Sequence, residues 1–323
     1  MPSLIDLKLR MYVTLALIFG LGFAIIYAIL YLLGVSFLGI LIFVVLFFVF
    51  QWYVSPYLIS ISARLKYLKP GEMKELQETV KELAAKAHVP MPRIAISPSK
   101  EPNAFVFGRT RKSATLVVNE GLLKMLNKDE LESVIGHELG HVKHNDFLVM
   151  TIASFIPMLA YILAQNMMFA NTYRSRNNGY ALLIGFLGFA VYFISELLIL
   201  GLSRSREYFA DMHSAQLTKK PEHLARSLVK ITYSLAESPA PQSSGSIRSF
   251  YIADSFNAKE DLEEIEKHAG ELKELLPELN INRFRELASK EGKSMLSLFT
   301  THPPTYKRII ALASLKKEIE KEK

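Results

Sequence analysis

From Met11 through Ala63 the chain carries no charged residue. That uncharged run exceeds twice the ~20 residues an α-helix needs to cross a bilayer. It reads as two spanning helices, residues 11–33 and 35–54, joined by a tight turn at Gly34-Val35-Ser36. A cleaved signal peptide is the competing reading of the first span. Its apolar run is too long for such a segment, and no small-residue cleavage site follows it.

A second apolar block, residues 147–170 and 180–202, is divided by a polar loop at 171–179. Pro157, Gln165-Asn166 and Glu196 interrupt it, which spanning helices tolerate where they pack on one another or line a cavity. A buried hairpin of a soluble core is the competing reading of this block. Four spans return the chain to one side each time a hairpin closes. Lys8, Arg10, Arg64, Lys66, Lys69, Lys143, Arg204 and Arg206 flank the spans on that side, and only Arg174 and Arg176 lie opposite. The excess of bases makes the shared compartment the cytoplasm. The net charge of +7 and 50% hydrophobic content fit basic segments beside anionic lipid. No basic module interleaved with aromatics is present, which argues against nucleic acid as a partner. The absence of cysteine agrees with a reducing interior.

The polar segments read as mainly α with a small β-sheet, an α+β arrangement. Residues 72–88 place Met73, Leu76, Val80, Leu83 and Ala87 on one helical face. Residues 93–97, 104–107 and 114–118 have strand character, with a basic turn at 108–113. A further helix is expected to open near Ser203, a flexible loop covers 237–246, and amphipathic helices cover 261–276, 281–290 and 306–323. The expected organisation is a hairpin at 1–63, the first part of a catalytic domain at 64–145, a second hairpin at 146–202 and the second catalytic part at 203–323. Residues 256–292 form a candidate inserted helical subdomain.

Between the apolar blocks lies His137-Glu138-Leu139-Gly140-His141. Four residues along a helix is a little over one turn, so both imidazoles leave one face toward a single point. Asn127-Lys128-Asp129-Glu130 supplies an N-cap and capping box for that helix. This spacing is that of two zinc ligands with Glu138 as the base beside them. A catalytic zinc takes three protein ligands. After the second apolar block, Glu207 and Asp211 are again four apart, and a closed hairpin would return them beside His137 and His141. Glu207 is therefore the expected third ligand, and Asp211 the carboxylate that orients a ligand histidine. Without the two histidines, a surface carboxylate near a helix start would be the preferred reading of Glu207. In such a site Glu138 would take a proton from water and pass it to the leaving amine. Phosphoester or small-amide hydrolysis could use similar ligands, but HExxH with a helical Glu points to peptide bonds.

The chain resembles the HtpX-type integral-membrane zinc metalloproteases, relatives of the CAAX prenyl proteases. The matching residues are Pro102-Asn103-Ala104-Phe105-Val106-Phe107-Gly108, Val118-Asn119-Glu120-Gly121-Leu122-Leu123 and the HExxH motif. Ser203-Arg204-Ser205-Arg206-Glu207-Tyr208-Phe209-Ala210-Asp211 and Thr301-His302-Pro303-Pro304 complete the set. The resemblance implies a gluzincin fold carrying one zinc ion per chain on His137, His141 and Glu207, with Glu138 as base. It implies that the strand Asn103, Ala104, Phe105, Val106 and Phe107 borders the cleft, where an edge strand can pair an extended peptide. It also implies that His302 and Arg308 approach the site as oxyanion or substrate donors. The implied role is quality control of damaged or misfolded membrane proteins, from a multi-pass position in the cell membrane with the site facing the cytoplasm. Two alternatives stand beside it: a prenyl-type processing protease, for which four spans are few, and a non-catalytic zinc-stabilised scaffold, which would not need Glu138. Asn145-Asp146 stands where HtpX relatives often carry Gly-Asp, and 256–292 matches no motif.

Overall fold

The computed structural model describes residues 36–169, 179–237, 252–253, 258–272, 276 and 302–321. The expected span at 11–33, the 281–290 helix and most of the 237–246 loop lie outside them. By contacts the chain divides into one unit of Met1–Leu58 with Ser294–Leu296, and a second holding the rest.

The first unit contributes most of α1 (Phe37–Ser62), an apolar helix whose large side chains, among them Leu46, Phe50 and Tyr57, are exposed. Its length and composition suit a membrane crossing.

The second unit is mostly helical around one mixed sheet. Its elements begin with β1 (Lys66–Tyr67), α2 (Lys74–Ala87), β2 (Arg93–Ser97), β3 (Ala104–Phe107) and β4 (Thr115–Asn119). Then come α3 (Glu120–Met125), α4 (Lys128–His144), α5 (Asp146–Phe169), α6 (Gly179–Thr218) and α7 (Pro221–Glu237). The last are α8 (Ala258–Lys267), α9 (Ala269–Leu272) and α10 (Thr305–Lys321). The strand order is β1-β2-β4-β3, with β2 and β4 parallel and the outer pairs antiparallel. Alternation sorts the strand side chains. Ile94, Ile96, Ala104, Val106, Leu116 and Val118 join the main core with α2, α4 and α7. Ala95, Phe105, Phe107 and Val117 form a smaller cluster with Ala63 on the other face.

One expectation changes. No new helix opens at Ser203: α6 runs unbroken for 40 residues, about 60 Å at 1.5 Å per residue. Nothing in Ser203-Arg204-Ser205 removes a backbone donor, and Ser205 Oγ bonds back to the Gly201 carbonyl at 3.0 Å. Among the described residues, two helices, Leu38–Ser62 and Gly185–Thr218, have the length and hydropathy of a span. α5 forms over the expected third span, with Pro157 inside it and Gln165 Nε2 donating to Tyr161 Oη at 2.7 Å.

Candidate metal centre

The helix that carries HExxH begins with the capping box the sequence predicts. Asn127 Oδ1 accepts from Glu130 N at 2.9 Å, and Glu130 Oε2 accepts from Asn127 N at 3.0 Å. Lys230 of α7 then closes on both Glu130 carboxylate oxygens at 2.7 and 2.8 Å. Further along α4, His137 and His141 project from one face, with Nε2 atoms 3.2 Å apart and ring planes at 90°.

α6 lies against α4 along a seam of small residues. A Cβ on Gly140 would stand 3.0 Å from Ala210 Cα, and one on Gly136 would stand 3.2 Å from Ser214 Oγ. Ser214 Oγ donates to the Ser133 carbonyl at 2.6 Å, one turn before His137. This close approach delivers Glu207. Its Oε2 is 3.6 Å from His137 Nε2, and its Oε1 is 3.6 Å from His141 Nε2.

The ligand atoms of His137, His141 and Glu207 lie within 4.8 Å of one another. Bonds of about 2.0–2.2 Å to a tetrahedral zinc put neighbouring ligand atoms about 3.3–3.5 Å apart. The two Nε2 atoms stand 3.2 Å apart, near that spacing, while each Glu207 oxygen faces a different histidine at 3.6 Å, so the carboxylate straddles the point where the two rings converge. The Glu207 Oε2 atom is buried and accepts no hydrogen bond among the described residues, so it is free to bind a cation.

The carboxylates behind the histidines are as ordered as the cluster. Asp211 Oδ1 is 2.9 Å from His137 Nδ1, off the line of an ideal hydrogen bond. Arg308 Nε and Nη2 donate to the two Asp211 oxygens at 2.8 and 2.7 Å, a bidentate pair. Arg308 Nη1 donates to the Ile252 carbonyl at 2.5 Å and stands 3.5 Å from Glu207 Oε2. The guanidinium is 1% exposed, and three of its donors are committed to protein acceptors. Its geometry is that of a brace behind Asp211, which is where the structure differs from an oxyanion donor. His302, also buried, places Nδ1 3.5 Å from Glu207 Oε2.

Charge in this interior is arranged in opposed pairs. Glu207 and Asp211 lie beyond the apolar part of α6. Burial would lift Asp211, but Arg308 holds it below the ordinary aspartate value. Burial would lift Glu207 too, yet the charge of His302 and the His137 contact hold it well below the usual range. Burial works against a charged His137, and Asp211 with Glu207 overcomes it, raising the imidazole to about 9. A cation binding at Nε2 near neutral pH must therefore displace a proton. Glu138, 3% exposed, is raised by burial, with His137 and His141 pulling the other way. A carboxyl shifted upward is the state suited to proton transfer near neutrality.

The strand expected to border the cleft is β3. It is the sheet edge, but Asn103, Ala104, Phe105, Val106 and Phe107 are all buried. Asn103 Oδ1 accepts from Ile252 N at 3.0 Å. Any recognition there runs through main chain rather than these side chains. α8 answers part of the open question over 256–292. Its Asp261 Oδ2 accepts from Thr305 N at 3.1 Å and Thr305 Oγ1 at 2.7 Å, pinning the turn after His302-Pro303-Pro304.

Sequence reasoning missed Asp146, whose Oδ2 is 2.5 Å from His141 Nδ1 and 3.0 Å from Arg206 Nε. An i, i+5 pair shares no helical face, so periodicity does not reveal it. The signal was the pair Asn145-Asp146 at the helix exit, where Asn145 tolerates the left-handed turn that brings Asp146 back.

A buried His₂Glu cluster beside a buried glutamate, on a helical frame with a small mixed sheet, is the architecture of a metallopeptidase. The model of peptidase family M48 matches residues 70–316. A protease HtpX homolog of Moorella thermoacetica is 36% identical over 321 residues, 97% of this chain and 96% of its own. Another, from Methanothermobacter thermautotrophicus, is 37% identical over 233 residues, 71% of this chain and 87% of its own. The crystal structure of S. mikatae Ste24p shares the fold at TM-score 0.51 and 18% identity, over 94% of this chain and 65% of that one. The chain belongs to peptidase family M48. It is a membrane-bound metalloprotease that hydrolyses peptide bonds.

Proposed function

We propose that the metal is zinc, one ion per chain, held by His137, His141 and Glu207, and that Glu138 is the general base of an endopeptidase. The observation that carries this is the convergence of three ligand atoms within 4.8 Å beside a buried carboxylate whose pKa is raised. Zinc held by these residues would supply Lewis-acid chemistry, polarising the scissile carbonyl and lowering the pKa of water so that it loses its proton readily. Glu138 takes the proton from that water and delivers it to the amine as the peptide bond breaks. Asp211, braced by Arg308, holds the His137 ring in register. His302, beside Glu207, offers a ring donor to the carbonyl oxygen as it gains charge. β3 supplies an edge along which an extended peptide pairs by main-chain bonds, giving weak sequence selectivity.

We place this site in the cytoplasm on a chain that crosses the cell membrane four times, in the domain order given by the sequence. Its substrates are damaged or misfolded membrane proteins. The uncharged 11–63 run, the two described apolar helices and the distribution of juxtamembrane bases support that placement. Likeness to a prenyl protease relative at 18% identity concerns the fold and does not favour processing of lipidated termini.

The deciding experiment compares casein cleavage by the wild type and Glu138→Gln in detergent. A base of this kind contributes about 10²–10⁴ in rate, so that loss is expected with one zinc per chain retained. Equal cleavage by both proteins discards the enzymatic role of Glu138. His302→Ala should lower turnover with zinc content intact, and wild-type turnover removes it from the site. Thiol labelling of Asn177→Cys and Ser243→Cys from one and the same face would break the four-span arrangement.

A further inference from the structure

We propose that Asp146 is a positioning residue for the metal centre, fixing the ring of His141 and tying it to the helical hairpin of α5 and α6. The inference rests on His141 being a ligand, as proposed above. α4 ends at His144, and Asn145 takes the left-handed conformation at φ 56°, ψ 38°. Its N–H bonds back to the His141 and Val142 carbonyls, closing the end of the helix. α5 starts at the next residue, so a single non-helical residue separates the two helices. That corner swings Asp146 back over the turn it has just left, and Oδ2 meets His141 Nδ1 at 2.5 Å.

The chemistry of a ligand histidine makes this contact consequential. When one ring nitrogen binds a cation, the other carries the proton, and a carboxylate accepting that N–H fixes both the tautomer and the plane of the ring. Asp146 is 4% exposed, so little water competes for its oxygens. It is also anchored from a second side. Arg206 on α6, the residue before Glu207, sets Nε 3.0 Å from the same Oδ2. One oxygen thus meets the His141 ring, the start of α5 and the segment of α6 that supplies the third ligand.

The test measures zinc affinity by chelator competition on purified full-length chain in detergent, first stripped of metal. Asp146→Ala is expected to lose about 10- to 100-fold in affinity, the usual range for removing such a partner. Asp146→Asn keeps an acceptor for the ring N–H and should lose less, with the cobalt-substituted spectrum close to wild type. Arg206→Gln leaves the acceptor in place and should also lose less than Asp146→Ala. Wild-type affinity in Asp146→Ala overturns the proposal. So does an Arg206→Gln loss equal to that of Asp146→Ala, which would mean the carboxylate acts only as an ion-pair partner between helices. His141→Ala separates the two levels of inference. If it binds zinc as wild type does, the ligand assignment fails; if it does not while Asp146→Ala does, only the positioning role fails.

Discussion

The helix bearing HExxH is joined to its two neighbours in contrasting ways. Against α6 it is held by packing: Gly136 and Gly140 meet Ser214 and Ala210 so closely that an added Cβ would make the neighbour give way, and Asp211 with Arg308 backs His137 across the seam. Toward α5 it is held by a turn: Asn145 bends the chain, and Asp146 with Arg206 backs His141. The first junction is buried and formed by residues 70 or more positions apart in sequence, the second by residues within a few positions of each other and an arginine from α6. Ligand spacing therefore depends on tertiary packing on one side and on local backbone conformation on the other. Perturbing the seam should be expensive for the whole fold, and perturbing the corner should be mild for the fold but felt by the metal.

The largest effect is expected from Arg308→Met. It leaves Asp211 buried without its bidentate partner, and removing one member of a buried pair costs about 3–5 kcal/mol. A thermal melt of the full chain should fall accordingly, whereas Arg206→Gln, at the corner, should fall less, because Asp146 keeps its contact with His141. Equal losses from the two variants would erase the distinction drawn between the junctions. Gly140→Ala comes next. Its Cβ would sit 3.0 Å from the Ala210 backbone and 3.2 Å from the His213 ring. Overpacking of this kind costs about 1–3 kcal/mol, and by shifting α6 it should draw Glu207 away from the histidines. A Gly140→Ala protein that binds zinc as tightly as wild type would show that the seam does not set ligand spacing.

The legibility of the chain follows the same division. The i, i+4 pairs His137/His141 and Glu207/Asp211 were readable because helical geometry fixes their direction wherever the helices go. The capping box at Asn127 and Glu130 was readable because it is wholly local, and both its hydrogen bonds are present. Strands β2 and β3 fall where alternation puts them, and β4 is displaced by one residue. The two-residue β1 and the six-residue α3 carry too few positions for a period to show. α7 has the amphipathic pattern of a surface helix and went unread, although ten of its residues are buried. The bracing by Arg308 could not be read at all, because Asp211 and Ile252 meet it only after three distant segments assemble.

A test by acid probes the seam from within. His213 packs on Gly140 at an edge-to-face angle to His144, and its Nε2 is buried with no hydrogen-bond partner among the described residues. Burial, with Lys143 and His144 nearby, pulls its pKa down to about 4 from the ordinary 6.5. The unfolded chain then takes up the proton first as pH falls, so the unfolded state binds more protons between those values. Stability from this group is present above about pH 6.5 and is lost progressively toward pH 4. Urea midpoints taken from pH 7 to 4.5 should fall in the wild type and fall less in His213→Leu. Parallel curves for the two would mean that the ring is not held neutral by the fold. Glu207 and Asp211, both depressed, add their own losses at lower pH, below the ordinary carboxylate range.

The mildest change tests the corner. Asn145 has positive φ, a conformation that costs a residue with a Cβ about 1–2 kcal/mol and that Asn and Gly tolerate best. Its side chain also accepts from Arg111 Nε at 2.8 Å, while Arg111 Nη2 donates to the Lys143 carbonyl, so the basic turn after β3 clasps the end of α4. Asn145→Gly gives up the Arg111 bond but relieves the backbone, and its melting temperature should stay near that of wild type. Asn145→Ala gives up the bond and keeps the strain, and should be less stable than the glycine variant by about 1 kcal/mol. If the corner aims Asp146, the alanine variant should also bind zinc more weakly than the glycine variant, out of proportion to so small a change in stability. Equal zinc affinity in the two would leave the left-handed turn as a matter of chain reversal alone, with the His141 ring held by packing like its partner.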